Sequence, residues 1–267
     1  MRFVLSPGPV GHVAGAAAVT GLILETRGIG KSFGKFVALR DISAGFRHGQ
    51  LTGIIGPNGA GKSTYFNTLS GAFRPSTGQI LFEGRDITGT AQHRFAAMGI
   101  AKSFQITTVF GQLSTLENVR VSLQALRSRY DVWRPRARHT DLVEQAGALL
   151  DSVGLWPRRD RLAATLAHGE QRALEIAMAL ASRPRLLLLD EPTAGMSPEE
   201  TRAMMDLIVR LATERTVILV EHKMKLVMGI CDRLLVLHHG ELLAEGTPDE
   251  IRTNETVKRV YLGQRAH

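Results

Sequence analysis

A chain of 267 residues with 44% apolar residues is long enough for one large domain, or one domain with a small insert, and too apolar to remain a disordered coil. Its formal charge of +8, from 33 Lys and Arg against 25 Asp and Glu, favours anionic partners such as nucleotide, nucleic acid or an anionic membrane surface, and equally serves plain solubility. A single cysteine, Cys231, excludes a disulfide framework and a cysteine-rich zinc site, and no apolar run approaches the roughly 18–20 residues of a membrane-spanning helix.

Residues 1–21 are rich in Gly, Ala, Val and Pro. Pro7, Gly8, Pro9 and Gly11 interrupt any apolar centre of a signal peptide, so the segment reads as a flexible extension. Ordered structure is expected from Leu22, with strands over 22–27, 41–46 and 51–55 and a helix over 63–70. Residues 78–84 read as a strand leaving a Pro-Ser-Thr-Gly turn. Between about 110 and 165 the texture changes. Leu116, Val119, Leu123 and Leu126, then Leu142, Val143, Ala146, Leu149, Leu150 and Val153, recur at helical spacing around a basic loop over 127–138, which predicts a helical insert. A buried helix is expected over 171–181. Residues 186–189 and 216–220 are short, wholly apolar runs that fit parallel strands covered on both faces, and a helix over 198–213 between them completes a crossover. Residues 234–246 read as a hairpin turning near His239 and Gly240.

Two motifs carry chemistry. Gly56, Pro57, Asn58, Gly59, Ala60, Gly61, Lys62 and Ser63, followed by Thr64, match the phosphate-loop pattern at every required position, between a predicted strand and a predicted helix. Glycines let successive backbone N–H groups converge on phosphate oxygens, and the following helix presents its positive end to the same anion. Lys62 reaches the β- and γ-phosphates as a point charge, and the Ser63 hydroxyl can ligate Mg²⁺. The second motif is an apolar strand ending in Asp190 and Glu191. Carboxylates there emerge where ligands of a parallel sheet bind, with Asp190 suited to Mg²⁺ and Glu191 to polarising an attacking water as general base.

From these two motifs outward, the chain resembles the ATP-binding subunits of ABC transporters over about residues 22–263, with 264–267 as a tail. Leu166-Ala-His-Gly-Glu-Gln171 is similar to the family's signature segment, and Gln105 to the glutamine of its Q-loop. Residues 194–197 stand at the D-loop, His222 at the switch histidine and Phe33 at the aromatic that stacks on adenine. The resemblance implies an α/β fold: a P-loop NTPase nucleotide-binding domain with a parallel-sheet core, an antiparallel β subdomain and a helical subdomain. It also implies catalytic roles for Glu191, His222 and Gln105, Mg²⁺ ligation by Ser63, Gln105 and Asp190, and nucleotide contacts from Leu166, Ala167, His168, Gly169 and Glu170 across a dimer. Two departures weaken those cross-dimer contacts. Ala167 stands where the family has a serine and His168 where it has a glycine, while Ser197 replaces the aspartate that closes the D-loop and reads instead as a helix N-cap.

The departures also point to a branch. Gln-Arg-Ala-Leu-Glu-Ile-Ala after the signature, Glu-Pro-Thr-Ala-Gly-Met, Glu-His-Lys-Met-Lys-Leu-Val-Met-Gly-Ile and the ending Val-Tyr-Leu-Gly resemble the ATPases of branched-chain amino acid importers, with urea and amide importers close by. That branch implies ATP and Mg²⁺ as ligands and a second ABC ATPase subunit as partner. It further implies two transmembrane permeases, an indirect link to a secreted solute-binding protein, and a peripheral position on the cytoplasmic face of the plasma membrane. An exporter ATPase of the lipopolysaccharide type and a soluble ABC ATPase acting on DNA or ribosomes are the alternatives. The second is disfavoured, since one chain has room for a single cassette and residues 71–165 show no sustained heptads, so no nucleic-acid partner is expected.

Overall fold

The computed structural model describes residues 21–103, 109–127 and 140–262. All but the last residue of the expected extension over residues 1–21, nearly all of the basic loop and the tail therefore lie outside the described residues. Two sheets organise what is described. The first is antiparallel, in the order β2-β1-β4-β5, built from β1 (Leu22–Phe33), β2 (Phe36–Arg47), β4 (Thr77–Phe82) and β5 (Arg85–Asp86). β1 and β2 each run 12 residues, about twice the predicted length. The reason is visible in their register: irregularities between Thr26 and Ile29 and again near Lys31 break the period-two alternation, and Gly28 and Gly30 mimic a turn.

The second sheet runs β10-β9-β3-β8-β7-β6. Its members are β3 (Leu51–Ile55), β6 (Ile100–Lys102), β7 (Leu186–Asp190), β8 (Thr216–Val220), β9 (Arg233–His238) and β10 (Glu241–Gly246). The first five are parallel, and β10 closes the edge as the antiparallel arm of the expected hairpin. Every residue of β3, β7 and β8 is buried, as the uninterrupted apolar runs predict. Successive side chains enter opposite cores. Leu187 and Leu189 join one cluster, while Leu186 and Leu188 join the other.

The first of these cores lies beneath the helices. It gathers α3 (Thr115–Arg127), α4 (Thr140–Ser152), α5 (His168–Leu180), α6 (Pro198–Ala212) and α7 (Met224–Ile230). Val119, Leu123, Leu142, Ala146 and Leu150 of the predicted insert are buried in it, and Leu126 and Val143 are exposed. The opposite core packs the antiparallel sheet against α1 (Lys62–Leu69), with Tyr65 and Phe66 at its centre and Phe95 of α2 (Phe95–Met98) at its margin. Short helices α8 (Pro248–Thr253) and α9 (Glu255–Leu262) end the described chain. α5 starts three residues before the expected 171–181, so His168, Gly169 and Glu170 form its first turn instead of preceding it. α2, α7, α8, α9, β5 and β6 escaped the pattern reading, being too short or too polar for periodicity to register.

Candidate functional site

Because β3, β8, β7 and β6 are parallel neighbours, the loops after them emerge side by side along one sheet edge. In spatial order that edge carries the phosphate loop, Glu221 with His222, Asp190 with Glu191, and Ser103, which opens the path to Gln105. Gln105 itself lies outside the described residues. Residues up to 166 positions apart in sequence are thus gathered by topology alone, since Gly56 follows β3 and His222 follows β8.

The phosphate loop is held tight from behind. A Cβ on Gly56 would lie 2.3 Å from the Leu237 carbonyl oxygen, and one on Gly61 would meet Leu39 Cδ2 at 2.9 Å. Gly61 is also the N-cap of α1 with φ of 95°, a left-handed conformation that glycine adopts at no steric cost. Gly240, in the β9–β10 turn, donates its N–H to the Ala60 carbonyl at 3.0 Å and accepts from Arg40 N–H at 2.8 Å. This brace joins the loop to both sheets, and only the hairpin turn, not its purpose, was legible beforehand.

Lys62 is 4% exposed, and its ammonium donates to the carbonyls of Gly56 (2.8 Å) and Pro57 (2.9 Å). Burial pushes its pKa below the ordinary lysine value, and the Glu191 carboxylate pulls in the opposite direction. Ser63 is exposed at the mouth of the loop, and Thr64 is half-buried.

Asp190 is 2% exposed, and both its carboxylate oxygens lack a hydrogen-bond partner among the described residues. Burial raises its pKa; Lys102 is the leading opposing influence, and the Glu191 charge adds to the rise. A buried acceptor pair without donors is costly unless a cation or a cation-bound water meets it. The donor set therefore suits a hard divalent cation. Glu191 turns away from the strand with φ of 46°, a left-handed conformation that is uncommon outside glycine. Its Oε1 lies 2.5 Å from Nε2 of His222, and a carboxylate oxygen accepts, so the tautomer with the proton on Nε2 makes this contact. The expected switch histidine and expected base are thereby brought together, with His222 directed at Glu191.

Phe33 ends β1 with its ring 44% exposed. It is held edge-on to Phe73 at 5.4 Å between centroids, with Lys31 Nζ 4.9 Å from its own centroid. Phe73 and Lys31 were missed by sequence reasoning, which had no spacing rule linking residues on β1 to the turn after α1.

The signature segment departs from simple expectation. Ala167, at the N-cap of α5, has no side-chain acceptor, so only the return half of a capping box forms, from Ala167 N–H to Glu170 Oε2 at 3.0 Å. Burial opposes the Glu170 charge, but bonds from Arg158 and the Ala167 N–H, with the field of Arg161, outweigh it and hold the pKa low. The Gly169 N–H, expected to face a phosphate, donates to Glu200 Oε1 at 3.0 Å. The other oxygen of Glu200 accepts from Ser197 N–H at 3.0 Å, and Ser197 Oγ accepts from Glu200 N–H at 3.2 Å. One carboxylate thus ties the D-loop to the signature turn. Leu166 is buried in the helical core, and His168 is exposed beside Gly195.

This arrangement can cradle a polyphosphate, accept a divalent cation and activate a water. The model of the ABC transporter family matches residues 39–194, more than half of the chain. The chain belongs to the ABC transporter family. A second family model, the branched-chain amino acid ATP-binding cassette transporter, matches residues 241–267. The high-affinity branched-chain amino acid transport ATP-binding protein BraF of Pseudomonas aeruginosa is 39% identical over 91% of this chain and 98% of its own length. LivG of Escherichia coli K12, a protein of the same description, is 37% identical with the same coverage. The lipopolysaccharide export ATP-binding protein LptB of Acidithiobacillus ferridurans is 37% identical over 90% of this chain and 97% of its own. Among solved structures, an ABC transporter ATP-binding cassette in its ADP conformation superposes with a TM-score of 0.81 at 30% identity, covering 91% of this chain and all of that one. As an ABC ATP-binding subunit the chain is an ATPase of transport, a component that works with membrane permeases and dimerises. Among the described residues no helix is long and apolar enough to cross a membrane.

Proposed function

We propose that this chain is the ATP-hydrolysing motor of an importer for branched-chain amino acids or a related small polar solute such as urea or an amide. The observation that carries this reading is the match of residues 241–267 to the branched-chain cassette model, beside branched-chain amino acid transport ATP-binding proteins that this chain matches over almost their whole length. Lys62 and the backbone donors of residues 56–63 hold the β- and γ-phosphates. Glu191 takes the proton of the attacking water, and His222, in contact with Glu191, orients that carboxylate and faces the γ-phosphate. Asp190 with its two unpartnered oxygens and Ser63 at the loop mouth would hold Mg²⁺, with Gln105 as the further ligand that the family resemblance implies. Held there, Mg²⁺ would supply positive charge to offset the negative charge developing on the phosphates. Phe33 offers its exposed ring to adenine.

Two ATPase subunits, identical or paralogous, sandwich ATP between the phosphate loop of one and residues 166–170 of the other. Closure then moves two permease subunits at the cytoplasmic face of the plasma membrane, and a secreted binding protein delivers the solute. A groove of about 500 Å³ reaches Lys102. It runs between the helical layer and β6, lined by Phe95, Lys102, Leu126 and Met178. Lys102 therefore stands both in that groove and in the field of Asp190.

Uptake of radiolabelled leucine, urea and acetamide in cells lacking this chain tests the solute class. Loss of one of these, restored by the wild-type chain and not by Glu191→Gln, is expected. Unchanged uptake of all three together with defective lipopolysaccharide export would transfer the chain to the exporter reading that the LptB relative represents.

A further inference from the structure

Glu221 is a buried carboxylate that the chemistry above does not use. It is 3% exposed and directly follows β8. Its Oε1 accepts the Thr193 hydroxyl at 2.6 Å and the Thr193 N–H at 3.1 Å, and its Oε2 lies 3.3 Å from the N–H of His222. Thr193 is itself fully buried. Burying an ionisable side chain is unfavourable unless its oxygens are met by donors, and an apolar residue would fill the same space without that cost. The reason to keep a carboxylate is therefore sought in what its bonds hold.

β7 and β8 pair with Asp190 opposite Val220, so Glu191 and Glu221 are the next residues along adjacent strands. The backbone leaves the ladder at that point. Glu191 enters its left-handed conformation, with its N–H on the Val220 carbonyl at 2.9 Å and its own carbonyl accepting from Ala194 N–H at 3.0 Å. Such a conformation in a non-glycine residue persists only where its surroundings over-determine it. Thr193 stands two residues after Glu191, and Glu221 stands one residue before His222. The Thr193–Glu221 contact therefore joins the two backbone segments that carry the Glu191–His222 pair.

We propose that Glu221 is a positioning residue, which through Thr193 locks the turn at 191–194 to the segment bearing His222 and so aims the Glu191 carboxylate. The inference rests on the reading of Glu191 as general base. Groups held by a rigid second layer lose turnover, not substrate affinity, when that layer is loosened.

The experiment measures steady-state ATP hydrolysis of the full chain. Thr193→Val removes the hydroxyl at nearly constant volume, and Glu221→Ala removes the acceptor. Each lowers kcat roughly tenfold with KM for ATP within about twofold of wild type. Thr193→Ser retains turnover, and the double variant falls no further than either single one, because both remove one contact. Should Glu221→Ala fail to fold, the Val and Ser variants of Thr193 carry the comparison. Glu191→Gln serves as reference. If it hydrolyses ATP normally, the base assignment fails and this inference with it. If it is inactive while Thr193→Val turns over at the wild-type rate, or Thr193→Ser is as slow as Thr193→Val, or KM rises in step with the loss of kcat, the positioning role alone is overturned.

Discussion

Lys62 braces its own loop and, in the proposed site, would also serve the ligand. Its ammonium bonds two carbonyls of its own loop and lies in the field of Glu191, which favours the charged form of a buried cation. Lys62→Ala removes that charge, and calorimetry is expected to find no measurable ATP binding; unchanged affinity would remove the phosphate-loop assignment. Phe33 is the residue proposed for the other end of the nucleotide. Its ring is exposed yet fixed by Phe73 and Lys31. Phe33→Ala should raise KM for ATP about tenfold, equivalent to about 1.4 kcal/mol and within the range of base stacking, with kcat preserved. A KM that does not move would mean that adenine lies elsewhere. Lys62 was legible in the sequence because its motif is local. Phe73 and Lys31 were not, because nothing in local spacing announces that the turn after α1 returns to the end of β1.

Elements are joined here by caps as much as by core. Ser197 begins α6 as a full capping box with Pro198 at the first helical position. Ser197→Ala should cost about 1 kcal/mol, read as a melting temperature lower by about 2–4 °C. Glu200 closes the same box and also takes the Gly169 N–H, so α5 and α6 share one carboxylate. Bonds from Ser197 and from the Gly169 N–H hold the Glu200 pKa below its ordinary value. A depressed folded-state pKa stabilises the fold above the ordinary value of about 4.3 and ceases to do so as pH falls through the lower, folded value. The melting-temperature advantage of wild type over Glu200→Gln is therefore expected at pH 7 and should shrink at about pH 3.5; an advantage of equal size at both would contradict the linkage. The N-cap role of Ser197 was readable from Ser-Pro-Glu-Glu. The bond from Glu200 to Gly169, 31 positions away, was not, because it exists only once α5 and α6 lie side by side.

At the scale of the molecule, the parallel sheet divides two apolar cores and lets adjacent residues serve different layers. Leu188 packs with α1 and the antiparallel sheet, and Leu187 packs under the helices. Either truncated to Ala should lower stability by about 2–5 kcal/mol, measured by denaturant melting, because both are fully buried. A loss under about 0.5 kcal/mol at either site would mean that its layer is loosely packed. Asn118 ties α3 to the chain that enters it. Its side chain accepts from Phe110 N–H at 2.7 Å and donates to the carbonyls of Phe110 and Ser114.

The sequence by itself determined the phosphate loop, the strand ending in Asp190 and Glu191, the crossover between β7 and β8 and the terminal hairpin, because each depends on residues close together in the chain. Its order of motifs was also enough for the family. Tertiary structure alone decided the contact of Glu191 with His222, the Glu221–Thr193 clamp, the Gly240 brace behind the phosphate loop and the capture of the Gly169 N–H by Glu200. Those depend on strand order in a parallel sheet, and register between distant strands is set by packing on two faces, a quantity that no local pattern of residues contains.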